Sequence, residues 1–428
     1  MAAARKPTMV VNATALMAAT IATSALGLVF WAVAARLYDP AEVGVGSAQI
    51  SAAMLLATFA DLSLGQMLAR FLPQAGSHGT WIIKRAFTAN IVASLVLAVA
   101  VVGLGFSDSY LHTWQDKILF IVAVPMLTLF VVQDSALLGL GAAVVVPIEN
   151  VLFSLAKLIL LPVFAVWVFF SGIFASWVIP AGLAVIGVAW FIKRKHLMDP
   201  DLQAEGRPLP PRSVLYPLLG KQYIGAVAGQ CVTLGVPLVI IHELGATANG
   251  YLALAWIIGG AFSALSLNIT LSFYYEVRKG RPITIPMLKR IGLLLGLTAG
   301  LGGIVCAALA PIVLAIVAPG YQNESTDLLR LVALSAPLQA LWIWLITFWW
   351  LEGRFSRFAV LQSCWAAATL VLTWWLAGEY GVTGAGMAML TTSLVVGLGA
   401  LWPLFHRYRV VRAGQGHLWV PEHADDEY

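Results

Sequence analysis

The residues of this chain that could do chemistry are few, and most lie inside apolar runs. Lys157 follows Pro147 by ten residues in the stretch Val-Leu-Phe-Ser-Leu-Ala-Lys-Leu-Ile-Leu-Leu-Pro. An ammonium at such a depth needs a carboxylate, a watery cavity or a ligand anion, because a bare charge in hydrocarbon costs roughly 2.5–3.5 kcal/mol on insertion scales. The carboxylates in comparable settings are Asp61, Asp134 and Glu149. Two arrangements follow. Asp134 and Lys157 sit on neighbouring antiparallel segments and could form a buried ion pair. Alternatively Lys157 faces a cavity and meets an anion carried by a substrate. Asp61, Asp134 and Glu149 are also candidates for gate ion pairs with Arg70, Lys84 or Arg85.

Catalytic groupings are missing from the sequence. There is no G-x-x-x-x-G-K-[ST] loop and no histidine cluster, and no carboxylate pair lies in a loop large enough to enclose a substrate. Cys231, Cys306 and Cys364 fall in separate apolar segments without metal or disulfide spacing. No enzyme activity, metal or cofactor is expected.

The elements that must position these residues are membrane helices. Of the 428 residues 60% are hydrophobic and 11% charged, against roughly 25% charged in a soluble domain. Apolar runs of about 20 residues recur throughout. The expected spans are 13–36, 44–68, 85–106, 118–140, 147–170 and 173–192, then 219–241, 250–274, 288–318, 329–351, 357–377 and 384–406. The apolar run after Arg5 and Lys6 is longer than a signal-peptide core, so a retained first helix is expected. Pro311 predicts a kink towards the outer end of the ninth span, and Pro237 predicts one in the seventh. Gly292, Gly296 and Gly300 predict a smooth packing stripe on the ninth.

The net charge of +5 does not point to nucleic acid, because the basic residues occupy alternate short loops. With the N-terminus inside, 21 of the 25 Lys and Arg fall on the cytoplasmic side, and only Arg36, Lys117 and Arg330 fall outside. Adding or removing one span would destroy that bias. The expectation is an all-α polytopic protein of the inner (plasma) membrane with about 12 transmembrane helices and both termini cytoplasmic. Residues 1–192 form one six-helix lobe and 219–406 the other, around a central cavity. A Pro-rich linker occupies 193–218 and a cytoplasmic tail 407–428. Six is even, so a parallel repeat is allowed.

Four stretches stand out as motifs: Ala35-Arg-Leu-Tyr-Asp-Pro-Ala-Glu-Val-Gly44, Asp61-Leu-Ser-Leu-Gly-Gln-Met-Leu-Ala-Arg-Phe-Leu-Pro73, Val317-Ala-Pro-Gly-Tyr321 with Leu328-Leu-Arg-Leu331, and Glu352-Gly-Arg354. In their order and sidedness they resemble the polysaccharide and oligosaccharide-lipid flippase family of the multidrug/oligosaccharidyl-lipid/polysaccharide exporter superfamily. Gln66 stands where the family pattern has leucine. The resemblance covers the topology of most of the chain and some forty residues of motif. It implies a two-lobed transporter flipping a lipid-linked oligosaccharide by alternating access, with glycan substrate and membrane lipids as partners and cell-envelope glycosyltransferases or polymerases as candidate partners.

Such a cargo carries a diphosphate and many hydroxyls. Lys157, Arg36 and Arg330 are then the candidate phosphate-binding cations, although the two arginines also suit interface anchoring. Asn12, Asn150, Gln230, Asn268 and Gln339 are candidate cavity hydrogen-bonders, with interhelical bonds as the alternative; Asn90, Gln133 and Gln362 share that ambiguity. Trp349, Trp350, Trp374 and Trp375 fit aromatic belts, and Trp342, Trp344 and Trp365 lie deeper, where lipid-facing packing competes with stacking on sugar rings. Two other functions compete. An ion-coupled small-molecule (multidrug) exporter would want acidic residues deep in a lobe. A non-transporting scaffold of a cell-envelope synthesis complex could use the acidic tail Asp425-Asp-Glu-Tyr428.

Overall fold

The computed structural model describes residues 9–166, 171–198 and 212–414, with side chains described for 23–166, 171–195 and 219–414. Asn12, most of the Pro-rich linker and the acidic tail lie outside the described side chains. The described chain is helical: α1 (Met9–Leu37), α2 (Pro40–Asp61), α3 (Leu64–Phe71), α4 (Gly79–Gly103), α5 (Trp114–Gly139), α6 (Val145–Val166) and α7 (Gly172–Met198). Then follow α8 (Arg212–Leu244), α9 (Ala246–Arg278), α10 (Ile285–Leu295), α11 (Gly302–Ala308), α12 (Ala310–Val317), α13 (Gln322–Leu351), α14 (Phe355–Tyr380) and α15 (Thr383–Arg412). Eleven helical segments among the described residues are long and apolar enough to cross a membrane. The protein is a multi-pass membrane protein.

Local sequence sets the helix ends. Thr113 caps α5, accepting from the Asp116 N–H at 3.1 Å while the Asp116 carboxylate accepts from the Thr113 N–H at 3.1 Å. Thr284 caps α10, with Pro286 in the first turn. The Tyr38 hydroxyl, in the turn after α1, donates to the Leu161 carbonyl at 2.8 Å. Burial and the neighbouring Glu42 push the Tyr38 phenol up to about 12, so it remains a donor at any physiological pH.

The second span is broken, where one continuous helix over 44–68 was expected. Leu62 (φ 48°) and Ser63 (φ 61°) are left-handed, a conformation that costs non-glycine residues about 1–2 kcal/mol each. The Asp61 carboxylate meets part of that cost by accepting the Gly65 N–H at 2.9 Å. The backbone of Gly65 also packs closely. A Cβ on it would lie 3.1 Å from both the Asp61 carboxylate and the Ser135 hydroxyl of α5.

The ninth span is also segmented. It breaks at Leu309 ahead of Pro311, close to where the proline predicts a kink. Before that, Gly296–Leu301 is a π-helix. The Gly292-Gly296-Gly300 stripe does not form a packing face. A widened turn abolishes i,i+4 alignment, and a Cβ on Gly296 would meet nothing within 4 Å. The close approach comes instead at Gly303, where a Cβ would lie 2.6 Å from the Ala333 carbonyl of α13. α8 runs through Pro237 without interruption.

The chain divides into two compact units, Met1–Tyr223 and Ile224–Tyr428. The first turns of α8 belong to the first unit, where the Tyr223 hydroxyl donates to the Phe59 carbonyl at 2.7 Å. In the first unit Leu68, Leu72, Ile82, Val132 and Leu137 form a core between α3, α4 and α5. In the second, Phe273, Leu288, Ile291, Ala336 and Phe348 pack between α9, α10 and α13. α15 continues to Arg412, past the expected start of a tail at residue 407, because Arg407 is buried against α13.

Candidate functional site

Three helices of the first unit converge on Lys157. α6 carries it about 18 Å from Val145 at 1.5 Å per residue, near the helix middle. α1 supplies Phe30, α6 supplies Phe153 one turn away, and α7 supplies Trp177. The ammonium lies 3.9 Å from the Trp177 ring centre, 5.0 Å from Phe153 and 5.3 Å from Phe30. Lys157 is 5% exposed, and among the described residues it has no hydrogen bond or ion pair. The rings brace one another: Phe153 meets Trp177 edge-on at 5.7 Å, and Phe130 of α5 backs Phe153 at 4.6 Å.

The energetics explain why the charge is tolerated. A cation–π contact is worth roughly 0.5–1 kcal/mol at an exposed site and about 2 kcal/mol when desolvated, so three faces offset much of the roughly 2.5–3.5 kcal/mol insertion cost. None of the three is an anion. The site is a cation held without neutralisation.

Of the two arrangements open to Lys157, the ion pair with Asp134 is not formed. Asp134 faces Asn150, whose side-chain amide donates to it at 3.1 Å, and Asn150 is seven residues, about 10 Å, along α6 from Lys157. A second amide–carboxylate pair lies beside it, with the Gln133 amide donating to Glu149. The sequence-adjacent pairs Gln133-Asp134 and Glu149-Asn150 therefore interlock across the α5–α6 hairpin. One oxygen of each carboxylate, Asp134 Oδ1 and Glu149 Oε2, is buried without a partner. Asp61 accepts the Gly65 N–H at the break after α2 and makes no ion pair with Arg70, Lys84 or Arg85 among the described residues. Arg70 lies over Phe71 and Arg85 over Trp81, and Lys84 is exposed.

The other candidates are dispersed. Arg330 is exposed and pairs with Asp327 one turn away at 3.1 Å. Arg36 is exposed at the end of α1. In the second unit Gln230 and Asn268 are exposed. Gln339 is buried in an interhelical chain, accepting from Ser263 at 2.6 Å and donating to Ser335 at 2.7 Å. Asn90 is fully buried with neither amide atom paired. Trp342 and Trp365 do not face lipid: they are buried against each other with ring centres 4.9 Å apart.

Sequence reasoning missed two arrangements. The cage around Lys157 draws on three helices, and only Phe153, four residues before it, left a local signal. Arg407 donates to one Glu352 oxygen through two nitrogens at 2.8 and 2.6 Å, with side-chain exposures of 9% and 12%. Opposite charges in the C-terminal part of α15 and just beyond α13 were the available clue.

No family model matches the sequence, and no curated protein matches it either. Solved structures do match. An inward-facing multidrug resistance MATE family transporter of the MOP superfamily aligns over 91% of this chain and 96% of its own, with 14% identity and a TM-score of 0.61. The lipid II flippase MurJ in an inward closed conformation aligns over 96% and 93%, with 12% identity and a TM-score of 0.60. The MATE multidrug transporter DinF-BH aligns over 93% and 96%, with 12% identity and a TM-score of 0.59. These are membrane transporters, not enzymes, and the chain has the fold of the MOP superfamily, the multidrug/oligosaccharidyl-lipid/polysaccharide exporters.

Proposed function

We propose that the protein is a transporter that moves an anionic, lipid-linked saccharide from the inner to the outer leaflet by alternating access. The fold is common to lipid flippases and multidrug exporters and does not choose between them. The observation that favours an anionic cargo is Lys157, a cation buried near the middle of a helix long and apolar enough to span a membrane and held by rings instead of a carboxylate. A diphosphate arriving there would gain the charge interaction that no protein group takes up. The flippase-like motifs around Asp39 and Asp61 support the same reading. The bias of 21 basic residues towards one side supports cytoplasmic termini. The membrane potential, inside negative, contributes about 2.3 kcal/mol per charge per 100 mV to an anion moving outwards.

The unpartnered oxygens of Asp134 and Glu149 favour a second reading, an ion-coupled exporter of small cationic molecules. Cells lacking the protein distinguish the two. The flippase reading expects lipid-linked glycan to accumulate out of reach of an impermeant glycosidase, with unchanged retention of a cationic dye. Dye accumulation with normal glycan exposure would favour the exporter.

A further inference from the structure

A cavity of about 250 Å³ opens in the second unit between α10, α13 and α15, lined by Leu288, Trp344, Phe348, Leu401, Phe405 and Tyr408 among others. It runs from the ends of these helices, at Leu288 and Tyr408, two turns inwards to Leu341 and Leu401. Its walls are apolar apart from the Tyr408 hydroxyl and the Trp344 indole N–H, and that N–H is buried without an acceptor.

The charge at its mouth is one-sided. α9, α13 and α15 end, and α10 and α14 begin, on one membrane face. Glu276 and Glu352 on that face are already paired, with Arg281 and with Arg354 and Arg407 respectively. Lys289 and Arg290 follow Leu288 directly, and Arg409 follows Tyr408; all three are exposed, as is Arg412. Among the described residues, none of the four makes an ion pair.

We propose that this groove is a binding site for an anionic phospholipid. One acyl chain fills the apolar cleft, and the phosphate is held by Lys289 and Arg290 of α10 with Arg409 of α15. Charge complementarity selects this occupant over a neutral lipid, because basic clusters at a membrane face attract anionic head groups and, among the described residues of this unit, this face has no free carboxylate to compete. The site concerns the resident bilayer and holds whichever cargo the protein carries.

The test is native mass spectrometry of the purified full-length protein. Equimolar phosphatidylglycerol and phosphatidylcholine with matched chains are supplied together. About thirtyfold preferential retention of phosphatidylglycerol is expected from two basic contacts to the anionic head group. The Lys289→Gln/Arg290→Gln variant should bring the two lipids to parity, and Leu401→Trp, which fills the cleft, should reduce retained phosphatidylglycerol. Should the first variant fail to fold, Arg409→Gln/Arg412→Gln tests the same charge requirement. Equal retention of both lipids by the unaltered protein overturns the proposal. So does a preference that survives the charge and cleft variants, or competition by glycerol 3-phosphate as effective as that by the intact lipid.

Discussion

The Lys157 ammonium sits 3.9 Å from the centre of the Trp177 ring, while Asp134, the carboxylate that could have paired with it across the α5–α6 hairpin, is bonded to Asn150 instead. The buried positive charge and the buried negative charges of the first unit are thus kept apart by two turns of α6. Among the described residues, neither Lys157 nor the two carboxylates is paired with a group of opposite charge.

Lys157→Met should leave the protein folded and in the membrane, with melting unchanged or slightly raised, while transport falls steeply. Removing one member of a buried ion pair costs about 3–5 kcal/mol, and no such pair is present to break here. Thermal unfolding in detergent, read beside transport, checks this. A large loss of stability would mean that Lys157 neutralises a carboxylate in the folded protein.

The interlocked amides and carboxylates of α5 and α6 behave differently. Gln133→Leu removes the donor to Glu149 and leaves a buried carboxylate unsatisfied, which should cost about 1–3 kcal/mol. Glu149→Gln keeps the shape and removes one of two neighbouring charges, so it should be neutral or stabilising. Melting temperatures of the two variants should therefore move in opposite directions or differ clearly in size.

Much of this architecture was legible in the sequence, for a simple reason. A spanning helix needs a long apolar run, and such runs survive any uncertainty about their neighbours. Breaks were legible only where proline announces them, as at Pro311. The break after Asp61 uses Leu62 and Ser63, neither of which advertises a left-handed backbone. The glycine stripe of 292–300 misled because spacing rules assume 3.6 residues per turn, and a π-helix intervenes. The charged residues were found by type, but their partners were not. Ring faces and amides from other helices satisfy them, and no local pattern encodes those contacts.

Glu352→Ala should be among the most destabilising single changes in the second unit, by about 3–5 kcal/mol, because it strands Arg407. The double variant Glu352→Leu/Arg407→Met should recover most of that loss. Chemical or thermal unfolding of the three variants measures the coupling.

Sidedness can be read by cysteine labelling. The exposed Asn323, in the first turn of α13, is the outer position and the exposed Ser356, in the first turn of α14, the inner one. Asn323→Cys should react with an impermeant maleimide on intact cells, and Ser356→Cys only after lysis. Reaction of both on intact cells would rule out the twelve-span orientation.

The most direct measurement uses full-length protein in liposomes containing a fluorescent polyprenyl-diphosphate-linked disaccharide, with dithionite bleaching whatever reaches the outer leaflet. The account predicts protein-dependent flipping that is lost in Lys157→Met while that variant stays folded. Equal flipping rates for the unaltered protein and Lys157→Met, or none for either, would contradict it.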